Sequence, residues 1–252
     1  MPDSDSSRSE RLAPHPVLER YYRDEDERPS VVRSMFDESA SEYDWIERFM
    51  SFGMGIAYRK RLLKEAGLAQ GMRVLDVATG TGSVARAARE LTGPKGHVAA
   101  LDPSIGMLRQ AKRLGSPGIL LGRGEALPFA DEAFDFLSMG YALRHVADLN
   151  IVFHEYARAL RPGGRVAIFE ISRPSSKFGV FLLGIYLGRF IPLVTRMFGH
   201  REAARLMHYY WRTIKTCVPP STIVEALREC GFSGVERKVQ AGIFSSYLGV
   251  KR

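Results

Sequence analysis

The chain is poor in cysteine: Cys217 and Cys230 are its two among 252 residues. That excludes a disulfide framework, and free thiols in a cytosolic protein are the expectation. His154, His200 and His208 have no cysteine or acidic partner at ligand spacing, so no metal is expected. An uninterrupted apolar run is also lacking. Phe178–Phe198 is strongly apolar but is broken by Gly184, Gly188, Arg189 and Pro192, whereas a spanning helix wants about 20 consecutive apolar residues. Met1–Arg11 has no apolar core of a secretory signal, and none is expected. Negative charge is scarce in one place. Between Arg173 and Lys215 eight basic residues meet a single acidic one, Glu202, and the net +8 is concentrated in this stretch, the rest of the chain being near neutral. Such a patch suits an anionic surface or nucleic acid, or is a solvated cationic face.

With 45% hydrophobic and 25% charged residues the chain can bury a sizeable core, which excludes collagen-like and wholly disordered classes. Residues 1–30, rich in Ser, Asp, Glu, Arg and Pro, read as a mobile tail; residues 31–252 read as one domain. Two helices are expected first, one running from Val31 through Met50 and one over Ile56–Ala66. Strands over Arg73–Ala78, Val98–Asp102, Ile119–Leu121, Phe134–Met139 and Arg165–Ile171 then alternate with helices. A helix over Ser221–Cys230 and two closing strands, Val235–Val239 and Phe244–Val250, follow. The fold class is α/β: a doubly wound, mostly parallel sheet with an antiparallel C-terminal hairpin and a helical cap over 175–215.

The segment Val74-Leu75-Asp76-Val77-Ala78-Thr79-Gly80-Thr81-Gly82-Ser83 is a strand running into a glycine turn and a helix. Such glycines let backbone approach a ligand where a Cβ would clash. Gly80, Gly82 and Ala85 also satisfy a relaxed dinucleotide pattern, so an NAD-binding module competes. Asp76 argues against it. A pyrophosphate wants a helix N-terminus without a carboxylate nearby, whereas S-adenosylmethionine brings a sulfonium and an ammonium. The same carboxylate could instead tie the loop down. Asp102, ending the second strand, can accept from both ribose hydroxyls.

Three further stretches carry a family resemblance: Gly124-Glu125-Ala126-Leu127-Pro128-Phe129, Tyr141-Ala142-Leu143-Arg144-His145-Val146-Ala147-Asp148 and Leu160-Arg161-Pro162-Gly163-Gly164-Arg165. With Tyr43-Asp44 and Met50-Ser51-Phe52-Gly53 upstream, and Tyr209–Ile214 downstream, the chain resembles the ubiquinone and menaquinone biosynthesis C-methyltransferases from about Val31 to Lys251. The resemblance implies S-adenosylmethionine as cofactor, with contacts at Thr81, Asp102, Arg123, Gly124 and Gly140. It departs at Arg123, where the family has Asn or Asp: guanidinium only donates, so backbone groups of Arg123 and Gly124 would face the adenine. Gly140 stands where Ser is frequent, and His145 where Asn is usual.

The implied reaction is methylation of a ring carbon of a hydrophobic quinol, with another small aromatic or polyketide-like acceptor, methylated at O, N or C, as the alternative. A phenolic hydroxyl has a pKa of about 10, so ionising it near pH 7 costs about 4 kcal/mol unaided. Arg144 is a candidate to stabilise the phenolate, or else to pair with Asp148. His145 is a candidate base, or a hydrogen-bonded structural imidazole. Tyr43 and Trp45 line the substrate side or pack the core. The greasy segment is expected to cap the substrate and touch an anionic membrane peripherally. Tyr209–Ile214 is a candidate homodimer face, and no nucleic-acid partner is expected because the basic cluster is interleaved with aliphatic residues.

Overall fold

A computed structural model describes residues 11–50 and 54–252. The seven strands are β1 (Arg73–Val77), β2 (His97–Asp102), β3 (Ile119–Leu121), β4 (Phe134–Gly140), β5 (Leu160–Ile171), β6 (Phe232–Gln240) and β7 (Phe244–Lys251). They form one sheet in the order β3-β2-β1-β4-β5-β7-β6. The first five are mutually parallel, while β7 runs antiparallel to both β5 and β6. Both faces are covered, so the central strands are buried nearly end to end instead of alternating. On one face Leu75, Val77, Leu137 and Ile168 pack against α5 (Leu149–Ala159) and α9 (Pro220–Glu229). On the other, Val74, Ala100, Phe136 and Phe169 pack against α2 (Gly55–Glu65) and α3 (Ser83–Thr92). α4 (Ile105–Arg113) follows β2, its first turn capped by Ser104.

A third cluster joins α1 (Arg28–Met50) to α8 (Arg201–Thr216) through Val32, Met35, Ile46, Leu206, Met207 and Tyr209. It corrects three expectations. Part of the supposed tail, residues 1–10, lies outside the described residues, but residues 11–27 are no tail. His15 and Tyr22 are buried, and the backbone is tied down where Leu149 donates to the Leu12 carbonyl (2.9 Å) and Val218 to that of Pro14 (2.8 Å). Buried Arg28 locks this strap by donating to the His15 carbonyl (2.7 Å) and pairing with Glu25 (2.8 Å). The Tyr209–Ile214 dimer face is consumed inside the chain: Tyr209, Thr213 and Ile214 are all buried. The greasy segment is one continuous helical rod. α6 (Lys177–Ile185) passes through a π turn (Tyr186–Phe190) into α7 (Ile191–Met197), together long and apolar enough to cross a membrane by length and composition. Its glycines do not break it. A Cβ at Gly184 or Gly188 would lie 2.8 or 3.0 Å from the Trp211 ring, so they are notches in which α8 seats that indole. Of the Met50–Gly53 motif, residues 51–53 lie outside the described residues.

Candidate active site

The chain leaves β1 towards β2 and β3 on one side and returns to β4 on the other. The carboxyl ends of β1 and β4 therefore splay apart, and such a switch point is where open α/β sheets bind ligands. Two non-glycine residues there adopt left-handed backbone: Ala78 after β1 (φ 53°) and Tyr141 after β4 (φ 62°), a strained conformation concentrated at functional sites. Both line a cavity of about 730 Å³ that opens above the sheet.

At the β1 end the wall is built by Gly80, Thr81 and Asp102, joined by Arg123, Gly124 and Gly140. Gly80 has φ 56°, and a Cβ there would meet nothing within 4 Å; the glycine serves the turn and leaves its space to the cavity. Its N–H donates to Asp102 Oδ2 (2.8 Å), and Ser104 N–H donates to Oδ1 (2.8 Å). Burial, with Asp76 and Asp37 nearby, pushes the Asp102 carboxyl up to about 6 despite those bonds. Thr81 Oγ1 is buried without a partner among the described residues. Gly124 lies against Val77, where a Cβ would come within 3.2 Å of its side chain.

Two predicted cofactor residues do not reach the cavity wall. Gly82 (φ 83°) caps α3 in left-handed conformation, and a Cβ there would meet Ser116 Oγ at 2.4 Å, so its role is close packing. Asp76 is fully buried beneath the loop. Its oxygens accept from Thr79 Oγ1 (2.6 Å) and Ser138 Oγ (2.7 Å), and burial pushes its carboxyl up to about 6. It ties the loop to β4 and acts on a ligand only through Thr79 and through its charge.

The opposite wall is aromatic. α1 contributes Phe36 and Tyr43, α8 contributes Tyr210, and a 3₁₀ turn at Leu143–His145 contributes His145. The Tyr43 and Tyr210 hydroxyls are 3.0 Å apart, and burial pushes the Tyr43 phenol up to about 12. The His145 ring stacks on Tyr209 and Tyr210, with centroids 5.4 and 5.3 Å away, and meets Phe36 edge-on. Both its nitrogens are screened from solvent, and neither has a partner among the described residues. Burial, reinforced by the Arg144 charge, holds its pKa well below the ordinary 6.5, so the imidazole is neutral. It is not the hydrogen-bonded structural ring weighed above.

Arg144 turns the other way. It is buried off the cavity wall, its Nη1 3.0 Å from Glu170 Oε2 and its guanidinium 5.5 Å from the centre of the Tyr210 ring. Direct contact with a phenolate is thereby corrected, and so is the pairing with Asp148. That residue instead caps α5, accepting from the N–H groups of Asn150 and Ile151. Burial pushes Glu170 up to about 7 even with Arg144 beside it.

Sequence reasoning missed a polar cluster on the same cavity: Glu47 from α1, Arg59 from α2 and Ser83 from α3. Arg59 Nη1 pairs with Glu47 Oε1 (3.1 Å), Ser83 Oγ donates to Glu47 Oε2 (3.0 Å), and the Arg59 guanidinium lies 5.6 Å from the Tyr141 ring centre. Glu47 and Arg59 lie outside the glycine motif, and Ser83 is its last residue, at the first position of α3. The strap also reaches the cavity, through Arg11, Glu25 and Asp26, next to Pro29 and Ser30 at the start of α1.

The model of the ubiE/COQ5 methyltransferase family matches residues 23–251. The chain belongs to this family. It is 32% identical over 238 residues to the demethylmenaquinone methyltransferase of Symbiobacterium thermophilum, covering 90% of this chain and 95% of the relative. It is 35% identical over 188 residues to the ubiquinone/menaquinone biosynthesis C-methyltransferase UbiE of Geobacter sulfurreducens, covering 72% and 73%. Among solved structures the fold is shared with a SAM-dependent methyltransferase from Aquifex aeolicus (TM-score 0.58, 20% identity, 84% of this chain and 98% of that one). It is also shared with phosphoethanolamine N-methyltransferase 2 of Haemonchus contortus in complex with S-adenosyl-L-methionine (TM-score 0.60, 18% identity, 85% and 57%). The protein is a methyltransferase that uses S-adenosylmethionine. Its residues fit that cofactor: the Gly80 bend leaves space, Asp102 stands at the wall as an acceptor, and buried Thr81 Oγ1 lacks a partner.

Proposed function

We propose that this family member methylates a ring carbon of a hydrophobic quinol of the demethylmenaquinol type. The observation that carries the reading is the aromatic end of the cavity, where Phe36, Tyr43, Tyr210 and His145 surround space with one neutral, unpartnered imidazole. The names borne by the relatives from Symbiobacterium and Geobacter support it.

At the glycine end, Asp102 would hold the ribose hydroxyls, while Gly80 and Thr81 would face the amino-acid part and backbone of Arg123 and Gly124 the adenine. Arg59 and Ser83 offer donors for a carboxylate, and Glu47 an acceptor for an ammonium. Bound there, the cofactor supplies an electrophilic methyl on a cationic sulfur. The remaining work is done by the chain. His145, held neutral, accepts a hydrogen bond from the quinol hydroxyl, whose proton is lost to solvent to leave an electron-rich ring. As the ring carbon gains the methyl and the methyl–sulfur bond breaks, that carbon's own proton passes to the oxygen and the quinol is restored. Arg144, behind Tyr210, contributes positive potential without touching the substrate. The apolar walls align the ring and exclude water.

The test is turnover by the purified protein with a short-chain demethylmenaquinol, set beside a soluble catechol. The expected product carries the new methyl on ring carbon. Methyl on oxygen, or turnover confined to the soluble phenol, would overturn the reading.

A further inference from the structure

The most exposed apolar surface among the described residues lies away from the cavity, on the rod formed by α6, the π turn and α7. Phe178 (69% exposed), Phe181 (61%), Leu193 (60%) and Met197 (77%) stand out, with Leu182, Ile185 and Phe190 also exposed. Their spacing is helical on both sides of a five-residue step from Ile185 to Phe190, and that step coincides with the π turn, Tyr186–Phe190. A π turn adds one residue to the helical count. With that residue discounted, at about 100° per residue all seven fall on a single stripe about 100° wide. In an unbroken α-helix Phe190, Leu193 and Met197 would all rotate off it, by about 100° each. The π turn thus keeps the two halves of the rod greasy on one side.

The opposite side is already used. Leu183, Leu187 and Ile191 are buried, and Trp211 of α8 occupies the Gly184 and Gly188 notches. Among the described residues the stripe has no partner, and its surroundings are of one sign. Lys177, Arg189 and Arg196 on the rod are exposed, as are Arg173 before it and Arg201 after it, and no acidic residue occurs from 173 to 201.

We propose that this stripe is the docking face for an anionic lipid bilayer, entered side-on by the rod with Phe178, Phe181, Leu193 and Met197 in the acyl boundary and the basic residues at the headgroups. The charge selects this occupant over a second copy: a two-fold contact between stripes would press two cationic borders together, whereas anionic headgroups neutralise them. The inference rests on the rod and its surface and holds whichever acceptor the cavity takes.

The test is flotation of the full-length protein with vesicles of phosphatidylcholine alone and with one-third phosphatidylglycerol, at low and high salt. Binding is expected to the anionic vesicles and to weaken with salt. The triple variant Lys177→Glu, Arg189→Glu, Arg196→Glu should bind about 100-fold less, from the sequence-independent attraction of each basic side chain. Phe178→Ser and Phe181→Ser, at exposed positions, should each weaken binding about tenfold, with helical circular dichroism and S-adenosylmethionine affinity unchanged. Equal binding to both vesicle types would overturn the charge argument. No binding to either, or a dimer in solution that the Phe→Ser variants dissociate, would overturn the proposal and assign the stripe to a second copy.

Discussion

Asp102 makes the cofactor site sensitive to pH in a calculable way. Its carboxyl is pushed from 3.8 up to about 6, first by burial and then by the charges of Asp76 and Asp37. Ionised Asp102 is therefore held at about 3 kcal/mol above its cost in water. A ribose diol needs the ionised form, because a protonated carboxyl loses acceptor capacity. Below about pH 6 each further unit should weaken S-adenosylmethionine about tenfold, so affinity at pH 5 should be about one-tenth of that at pH 7. Over this range an α-amino group of pKa about 7.7–8.0 stays protonated, so the ligand's own charge is nearly constant. Isothermal calorimetry at pH 5, 6 and 7 measures the slope. Asp102→Asn should flatten it and cost 10- to 100-fold at pH 7, as expected for about 1.5–3 kcal/mol in hydrogen bonds to a charged group. Asp76→Asn should instead move the midpoint to lower pH, because the like charge that raises Asp102 is gone. Affinity that does not change between pH 7 and 5, or an Asp102→Asn protein that binds as tightly as the parent, would refute the reasoning.

Three further outcomes are expected. His145→Ala should lower kcat at least tenfold with cofactor affinity unchanged, and His145→Asn should retain most turnover; an inflection of kcat near pH 6.5 that vanishes in His145→Asn would contradict the neutral, buried ring. Arg144→Ala should lower stability by about 3 kcal/mol, because it leaves Glu170 buried without its partner, while Arg144→Met combined with Glu170→Leu should recover most of that in a denaturant titration. Burial holds His15 at about 4, below the ordinary 6.5. The unfolded chain then binds a proton between those values that the folded chain does not, so stability is full above pH 6.5 and falls by about 3 kcal/mol as pH drops to 4; His15→Gln should flatten that limb in melts across pH 4–7.

The sheet was legible because its strands are short apolar runs punctuated by glycine turns, a pattern with few other readings. The site's second half was hidden by distance along the chain. Arg144 has an acidic residue four positions on, Asp148, but the chain is extended at Val146, and Asp148 turns to cap α5. Its real partner, Glu170, ends up beside it because β5 runs parallel to β4 with Gly140 against Phe169. The strap was misread because its composition is polar. Its anchors are two backbone hydrogen bonds and the buried pair of His15 and Arg28, none of which leaves a pattern in hydrophobicity. The π turn had no sequence signature at all. Gly184 and Gly188 looked like helix breakers because the Trp211 they accommodate lies on another helix.

The two ends of the cavity are polarised in opposite senses, and that bears on how the proposed reaction is helped. Under the glycine bend Asp76 and Asp102 are both strained towards protonation by burial, so a cation placed above them relieves a cost already present in the free protein. At the aromatic end His145 is held neutral first by burial and then by the charges of Arg144, His15 and Arg28, so a negative charge arriving there meets positive potential. Methyl transfer from a sulfonium to an ionised quinol cancels both charges as it proceeds. A site rich in polar contacts at the reacting centre would stabilise the separated ions more than the neutralising transition state, and so slow the step. The arrangement sets Asp76 beneath the loop and Arg144 behind Tyr210, leaves Asp102, Glu47 and Arg59 on the wall for the cofactor, and presents aromatic rings and one neutral imidazole to the acceptor. Charge set back in this way favours arrival of both reactants while leaving the centre itself apolar.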